Sequence, residues 1–589
     1  MKNKNKKSLK EIYIEAVENY KNKNLKVAEK LCFKILSIDS NHFDSISLLA
    51  TISAMSRNFE DAKNFLLKAI KLQPKNLSIF NNLGTAYKEL GNLNEAMKYY
   101  KKALDINSDH TNSNYNLGLV YHKLKEFKKA KSYLKKTVEV QKNFAFAFFS
   151  LANVHVDLKE YNEAISSYQK AIEINPKIVG AHNNLGLVFR NLNDFENAIS
   201  CYKKAIELKS DHGGVHHNLA QAFKETGQFN KAIESHQMAI KSEPENLSHY
   251  YYLKELNKNI LDDSLKNKVT KILSDENCTL NNKIFGNYLL ATYERKEEKY
   301  KSELDYLAKG HKNFFQSKKE KFNLAIKYCF DDVLQISEGV KSENNDKVKY
   351  DKIKPIYIVG VPRCGSTLVE KIIGSGKKMI SMGEETAVFE NYINGKILEK
   401  KSLNLGNVSD IRDDLNDIYK ERGLLSKKYD FVFIDKSLNN FFYLKLIKAV
   451  YPKAKIINCN RNVLSSIMSI FQNNLTELAW THDLENIFKY IDNYFNIINN
   501  FIVENPNEVY QLDFESLAND PENESKKLMK FCELPWDKKC LEYHKRKDLI
   551  SKTASNVQIR EAIYKHTSNK YSPYKEYLNK YGKKYSWFN

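Results

Sequence analysis

The chain has 589 residues, which is too long for one hydrophobic core and predicts several domains or a repeat array joined to another domain. It contains 93 basic and 72 acidic residues, for a formal net charge of +21, but lysine is spread over the whole length. The charge therefore fits an anionic partner without indicating a local patch for nucleic acid or for a membrane.

Cysteine usage and hydropathy narrow the class of protein further. The eight cysteines are scattered and include no C-x-x-C pair, so we expect a cytoplasmic protein with reduced thiols and no structural metal. No window approaches about 18 continuous apolar residues, and the basic N-terminus lacks the apolar core of a signal peptide. The sequence thus predicts neither a membrane span nor secretion.

An internal repeat fills the first part of the chain. Alanine recurs at one constant interval, at Ala28, Ala62, Ala96, Ala130, Ala164, Ala198 and Ala232. Seven residues after each stands Ile35, Ala69, Ala103, Thr137, Ala171, Ala205 or Ala239. Small residues at fixed positions predict two antiparallel helices that cross closely in each unit, and stacked units predict an α-solenoid. Over roughly residues 8–246 the pattern resembles the tetratricopeptide repeat, whose period is about 34 residues.

Four repeat units carry an asparagine two residues before a small Gly or Ala, at Asn82, Asn116, Asn184 and Asn218. In some tetratricopeptide arrays, such as that of the O-linked N-acetylglucosamine transferase, a ladder of asparagines holds a peptide backbone through paired amide bonds. The resemblance therefore implies an acceptor protein or peptide in the repeat groove. The plainer interpretation is that asparagine is simply common beside Leu-Gly in this repeat.

The region after the repeats changes character twice. Residues 247–345 keep a helical pattern but lose the register of the repeat, and the polar stretch SENNDKVKYDK follows. We therefore predict a repeat array over 1–246, a helical connector over 247–349 and a separate domain over 350–589.

Short β-branched runs alternate with helical patterns in this last domain. IKPIYIVGV precedes the helical TLVEKIIGSG, and three later runs are of the same strand type: FVFID (431–435), AKIINCNR (454–461) and EVYQLDFESL (508–517). The alternation predicts a three-layer α/β domain with a parallel sheet, whose ligand lies at the carboxyl ends of the strands.

The loop after the first strand carries the strongest chemical signal. In IVGVPRCGSTL (358–368) the glycines have the P-loop spacing G-x-x-x-x-G, but Ser366 replaces the lysine of G-K-[ST]. Backbone N–H groups from Cys364 to Thr367, at a helix N-terminus, are expected to form an anion cradle. Because that lysine and an acid for Mg²⁺ are missing, a kinase is disfavoured, and we expect an anion held by side-chain cations without a metal.

A second signal follows the strand AKIINCN. Arg461 stands at its end and Ser469 lies eight residues further on, which is about two helical turns. An arginine at a strand end and a hydroxyl in the next helix can both reach one phosphate.

Several motifs occur together in order: PRCGSTL (362–368), MGEETAVF (382–389), IDKSLNN (434–440), NRNVLSSIMS (460–469) and TASNVQIREAIY (553–564). Over about residues 350–578 they resemble the bacterial tetratricopeptide-repeat sulfotransferases and, more distantly, the tyrosylprotein sulfotransferases. Those families transfer a sulfuryl group from 3′-phosphoadenosine 5′-phosphosulfate (PAPS), a cosubstrate, to an acceptor hydroxyl. The resemblance implies the same P-loop-like fold and the same reaction here.

The resemblance also implies a set of PAPS-binding residues. The 5′-phosphate and the sulfonate would be bound by Arg363, Cys364, Gly365, Ser366 and Thr367. The 3′-phosphate would be bound by Arg461 and Ser469. Ser555 and Arg560 belong to a segment that in the family closes over the nucleotide. Arg363, Arg461 and Arg560 are three of only nine arginines in the chain.

Catalysis by resemblance would depend on three side chains. Arg363 and Lys436 would stabilise the leaving oxygen, and Glu385 would be the base, with Glu384 as the alternative. Asn473 stands where the tyrosylprotein enzymes have an arginine, so the acceptor is either a protein tyrosine or a glycan, lipid or small metabolite. A repeat scaffold with a non-catalytic nucleotide-binding domain is the alternative to an enzyme.

Overall fold

A computed structural model of the chain describes residues 8–334, 352–378, 380–400, 408–425, 431–546, 548, 551, 553, 555–563 and 568–588. The chain divides into two compact units, Met1–Asn218 and Leu219–Asn589. This division falls inside the array predicted for 1–246, and the predicted boundary at 349 lies outside the described residues. The three predicted domain boundaries stay predictions.

The first unit consists of paired helices. They are α1 (Leu9–Lys21), α2 (Leu25–Leu36), α3 (Phe43–Met55), α4 (Phe59–Leu72), α5 (Leu77–Glu89), α6 (Leu93–Ile106), α7 (Thr111–Lys123), α8 (Phe127–Val140), α9 (Ala145–Asp157), α10 (Tyr161–Ile174), α11 (Val179–Asn191) and α12 (Phe195–Leu208). Helix α13 (Gly213–Glu225) extends across the division between the units. From α1 onward, the first helices of successive pairs begin at the same interval that separates the repeated alanines, as the sequence predicts.

Local sequence determines where these helices begin and how closely they pack. Asn58 and Asn92 cap α4 and α6 by accepting the backbone N–H groups of Asp61 and Glu95. The repeated alanines, from Ala28 to Ala232, are fully buried. The predicted solenoid of tetratricopeptide-like helix pairs is confirmed.

Glycine allows the two helices of some pairs to approach each other. A Cβ atom on Gly84 of α5 would lie 2.6 Å from the ring of Tyr100 on α6. That ring is fully buried, and its hydroxyl donates to Thr85 Oγ1 at 3.2 Å. The packing therefore leaves no space for a larger side chain at position 84.

The second unit begins with further helices: α14 (Phe229–Ser242), α15 (Leu247–Leu256), α16 (Asp263–Ser274), α17 (Leu280–Lys296), α18 (Tyr300–Ser317) and α19 (Lys319–Lys327). Its strands are β1 (Ile356–Val359), β2 (Ser381–Glu384), β3 (Phe433–Lys436), β4 (Lys455–Asn460) and β5 (Val509–Asp513). The remaining helices are α20 (Ser366–Gly374), α21 (Val388–Lys400), α22 (Val408–Glu421), α23 (Leu444–Val450), α24 (Val463–Phe471), α25 (Leu484–Glu504), α26 (Phe514–Asn519), α27 (Pro521–Phe531) and α28 (Lys575–Gly582).

In the described part of the chain the strands form one parallel sheet of order β2-β3-β1-β4-β5. The P-loop-like α/β fold is confirmed. Strand order changes direction at β1, which is where ligands of open α/β sheets bind. Strand β2 was not predicted, because SMGE lacks the β-branched pattern and lies at the sheet edge.

None of the described helices is both long and apolar enough to cross a membrane.

We predict that Gly84→Leu destabilises the repeat unit by about 1–3 kcal/mol, because leucine favours helix but would overlap the buried Tyr100 ring. Gly180→Leu is the matched control, since a Cβ on Gly180 lies in ordinary contact with Phe149, at 3.4 Å. Calorimetric unfolding of both variants measures the difference. Equal shifts in the two variants would contradict the close helix crossing.

Candidate functional site

The carboxyl ends of the strands carry most of the predicted site residues. Arg363 lies in the loop after β1, and Glu385 directly follows β2. Lys436 ends β3, Arg461 directly follows β4, and Phe514 directly follows β5. Because the strands are parallel, these positions share one edge of the sheet, as the sequence predicts for the ligand side.

The loop between β1 and α20 has the backbone geometry of an anion cradle. Arg363 and Gly365 have positive φ angles of 70° and 100°, and such left-handed residues turn successive N–H groups toward one point. A Cβ on Gly365 would collide with the ring of Phe514, so only glycine fits there. Within the loop, the N–H of Cys364 donates to the carbonyl of Val361 at 3.2 Å. The contact of Cys364 with the donor stays a prediction.

Arg363 joins three separate segments through its guanidinium. Nε donates to Ser469 Oγ at 3.0 Å, Nη1 donates to Ser555 Oγ at 2.8 Å, and Nη2 donates to Gln558 Oε1 at 3.3 Å. The structure thus brings together Arg363, Ser469 and Ser555, which the sequence analysis grouped. Gln558 was missed, although it lies in the same VQIR motif as Arg560.

Arg461 supports the loop from the end of β4. Its Nη1 donates to the carbonyl oxygen of Arg363 at 2.8 Å, and its guanidinium lies 4.9 Å from the centroid of the Phe514 ring. Arg461 and Ser469 therefore both contact Arg363, one at its carbonyl oxygen and the other at Nε. That they bind one phosphate stays a prediction. Phe514 was missed, because a lone aromatic after a strand carries no motif.

Lys436 is a buried cation at the end of β3. Its side chain is 3% exposed, and Nζ lies 2.7 Å from Glu385 Oε1, 3.7 Å from Glu384 Oε1 and 3.4 Å from Thr367 Oγ1. Burial disfavours its charge, but the carboxylates of Glu385, Glu384 and Glu370 outweigh this effect and raise the pKa of Lys436 above its usual value. The amine therefore stays protonated at neutral pH.

The two adjacent glutamates have different surroundings. Glu385 pairs with Lys436 and accepts the backbone N–H of Leu438 at 3.2 Å, while its side chain is 37% exposed. Glu384 is 13% exposed and accepts the hydroxyl of Ser551 at 3.1 Å. Glu385 is thus the carboxylate more accessible to a second substrate.

A buried aspartate holds the loop after β2 against β3. Asp435 accepts the hydroxyls of Tyr419, Thr386 and Ser437 and the amide of Asn440, at 2.6–3.0 Å. The structural role of Asp435 had no signal in the sequence. In the described residues, no group of three or more His, Cys, Asp and Glu side chains is arranged to hold a metal ion.

Cys364 and Cys459 form a buried thiol pair next to the loop. Both are free cysteines, and the hydrogen bond between their side chains, together with burial, raises the pKa of the Cys459 thiol. Gly360, directly after β1, lies against both cysteines. A Cβ on Gly360 would be 2.5 Å from Cys364 Sγ and 3.3 Å from Cys459 Cβ. Cysteine at 364 therefore packs into the sheet beneath the loop.

Arg560 contacts another part of the second unit, at the ends of two helices. Its Nη2 donates to the carbonyl oxygen of Glu225 at 3.0 Å, and its guanidinium lies 5.9 Å from the centroid of the Phe229 ring. Arg560 therefore contacts the ends of α13 and α14, whereas Ser555, five residues earlier, contacts Arg363.

Asn184 and Asn218 of the predicted ladder are hydrogen-bonded to amides of the preceding repeat. Asn184 Nδ2 donates to Asn153 Oδ1 at 3.1 Å, and Asn218 Nδ2 donates to Asn183 Oδ1 at 2.9 Å. Asn82 is exposed and accepts from its neighbour Asn81, and Asn116 is half-buried. Amides from successive repeats thus bond to each other along this surface.

Two protein-family models match different parts of the chain. Residues 355–538 match the family model described as "Sulfotransferase family", and residues 75–264 match that of the "Tetratricopeptide repeat protein 21 C-terminal ARM domain". An uncharacterized protein of Aquifex aeolicus (strain VF5) is 30% identical over 238 residues, which cover 38% of this chain. The match spans only 31% of that relative's length.

Two solved structures are similar to about a third of the chain each. YrrB, described as a TPR protein with an unusual peptide-binding site, is 23% identical over 32% of this chain and 97% of its own, with a TM-score of 0.29. The pilF protein of Pseudomonas aeruginosa is 20% identical over 34% of this chain and 92% of its own, with a TM-score of 0.32.

The family matches agree with the regularly repeated helix pairs of the first unit and with the parallel sheet and P-loop-like turn of the second. The chain therefore combines an N-terminal tetratricopeptide-like repeat domain with a C-terminal domain of the sulfotransferase family.

Proposed function

We propose that the C-terminal domain transfers the sulfuryl group of PAPS to an acceptor hydroxyl. One observation carries the proposal. The buried cation Lys436 lies beside the P-loop-like turn, which lacks the usual P-loop lysine. Its Nζ is 3.4 Å from Thr367 Oγ1 and 2.7 Å from Glu385 Oε1. A cation and a carboxylate at the end of an anion cradle are the parts that transfer of a charged group to a hydroxyl requires.

The residues around the loop fit an anionic donor. The left-handed angles of Arg363 and Gly365 form a concave backbone surface that favours an anion. Arg363 donates to the neutral oxygens of Ser469, Ser555 and Gln558. A guanidinium suits a phosphate geometrically, because its planar N–H groups can donate to two phosphate oxygens at once.

We assign the 3′-phosphate of the donor to Arg461 and Ser469. Both contact Arg363, one through its carbonyl oxygen and the other through Nε. A phosphate at this place would distinguish PAPS from ATP, which has none on its 3′-oxygen. Gly365, Ser366 and Thr367 would supply backbone N–H groups to the 5′-phosphate at the N-terminus of α20.

Bound PAPS supplies a sulfuryl group on a phosphate leaving group. In the transfer, the bond from sulfur to the bridging oxygen breaks, a bond from sulfur to the acceptor oxygen forms, and the acceptor loses its proton. Lys436 and Arg363 are the cations proposed to stabilise the leaving oxygen, and Glu385 is the proposed proton acceptor because of its greater exposure.

The repeat domain is proposed to recruit a protein, as the acceptor itself or as a partner. Tetratricopeptide-like helix pairs form extended surfaces suited to peptides, and Asn82, Asn116, Asn184 and Asn218 are the proposed contacts. Asn473, which stands where the tyrosylprotein enzymes carry an arginine, donates through Nδ2 to the carbonyl of Ser469 at 2.6 Å. This departure makes a glycan, a lipid or a small metabolite the alternative acceptor. The free cysteines support a reducing, cytoplasmic setting for the reaction.

We expect ³⁵S from labelled PAPS to become attached to a component of a lysate of the source cells when the full chain is added. Fractionation into protein, polysaccharide and small molecules identifies the acceptor class, and label on tyrosine supports the protein acceptor. A reaction without the chain is the control. Absence of label in every fraction, despite binding of the donor, would support a non-catalytic scaffold instead.

We predict that Glu385→Gln lowers kcat by about 100-fold or more and leaves the KM for PAPS within a few-fold, because glutamine keeps the shape but accepts no proton. Glu384→Gln is the matched control on the neighbouring residue and is expected to retain most activity. Steady-state rates with the acceptor found by labelling measure both. A larger loss in Glu384→Gln would make Glu384 the base.

A further inference from the structure

The turn between α13 and α14 contains a glycine that its backbone conformation does not require. Turn residues with positive φ recur once in each repeat along the helix pairs, at Lys23, Arg57, Gly91, Lys125, Lys159, Asn193 and Gly227. Their φ angles lie between 58° and 81°. Five of these turns carry a side chain in the left-handed conformation, so the turn accepts one, and another reason must explain Gly227.

Arg560 occupies the space beside Gly227. A Cβ on Gly227 would lie 2.6 Å from Cζ and Nη1 of Arg560 and 2.8 Å from its Nε. A Cβ on Gly91, in the corresponding turn of an earlier repeat, would have no described atom within 4 Å beyond its chain neighbours. The two glycines share a backbone conformation and differ in what approaches them.

The guanidinium is bound on several sides at this turn. Nη2 donates to the carbonyl of Glu225, the last residue of α13, where helix carbonyls lack intrahelical partners and favour a cation. The ring of Phe229, the first residue of α14, lies 5.9 Å away. The N–H of Ser551 approaches the same Glu225 carbonyl at 3.5 Å. Burial lowers the pKa of Arg560, although an arginine stays charged.

The same short segment reaches the proposed donor site. Ser555 and Gln558 accept hydrogen bonds from Arg363 Nη1 and Nη2. Ile559 is buried, and its N–H donates to the Ser555 carbonyl at 3.1 Å, so residues 555–560 form a compact turn. One end of this turn therefore contacts Arg363, and the other contacts the α13–α14 turn.

We propose that Arg560 is a positioning residue: by binding the α13–α14 turn at Glu225 and Gly227, it holds Ser555 and Gln558 against Arg363. Gly227 makes room for the guanidinium. The proposal rests on the proposed function to the extent that Arg363 holds the donor. It replaces the nucleotide contact that the family resemblance implies for Arg560 with a contact to a repeat helix pair.

The test compares Gly227→Asn with Gly91→Asn in the full chain. Asparagine adopts a φ of 65° in the corresponding turn at Asn193, so both variants keep an allowed backbone. Only Gly227→Asn displaces Arg560. We expect it to accelerate amide hydrogen exchange of residues 555–560 at least tenfold and to raise the Kd of 3′-phosphoadenosine 5′-phosphate at least tenfold, at an unchanged melting temperature. Gly91→Asn should leave both within twofold of the unsubstituted chain.

Arg560→Ala provides a second route to the same state without added bulk. It should accelerate the exchange of residues 555–560 and raise the nucleotide Kd as Gly227→Asn does. The double variant Gly227→Asn/Arg560→Ala should bind the nucleotide no more weakly than either single variant, because both substitutions remove the same interaction. Normal exchange and normal nucleotide affinity in Gly227→Asn and Arg560→Ala would overturn the proposal. If the unsubstituted chain does not bind the nucleotide, the proposed function fails, and the exchange measurement alone still decides whether Arg560 fastens the segment.

Discussion

Lys436 places an ammonium group almost entirely out of water at the carboxyl end of β3, and the surrounding residues must compensate that charge. Glu384 and Glu385 do so from the end of β2, and Glu370 does so from α20. Burial of a charge is tolerated when opposite charges and hydrogen bonds surround it. The position of Lys436 therefore ties the loop after β2, the strand β3 and the helix after the first loop into one arrangement. Asp435 holds the same loop through the hydroxyl of Thr386.

The repeats follow a simpler constraint, because each helix pair needs a left-handed turn and a close crossing. Alanine or glycine at the crossing and one positive φ at the turn recur in each repeat. At Gly227 the turn is also a docking place for Arg560, in the same unit as the sheet. The left-handed turn of one repeat thus also binds Arg560, the residue that we propose to position Ser555 and Gln558.

Periodicity and strand-end motifs allowed the solenoid, the parallel sheet and most of the site cluster to be predicted from sequence. Arg363, Arg461, Ser469 and Ser555 come together as their motifs indicate. Tertiary contacts decided the rest: the strand SMGE has no local pattern, Asp435 and Phe514 act through neighbours distant in sequence, and Arg560 turns away from Ser555 toward Glu225.

Equilibrium binding by the full chain tests the central claim, that the loop holds a 3′-phosphorylated adenine nucleotide without a metal. Titration calorimetry in the presence of a chelator compares 3′-phosphoadenosine 5′-phosphate with adenosine 5′-phosphate, and a parallel titration uses ATP with Mg²⁺. We predict that the 3′-phosphate tightens binding at least tenfold and that ATP with Mg²⁺ binds more weakly. Equal affinity for 3′-phosphoadenosine 5′-phosphate and adenosine 5′-phosphate, or Mg²⁺-dependent ATP binding as the tightest of the three, would contradict the account.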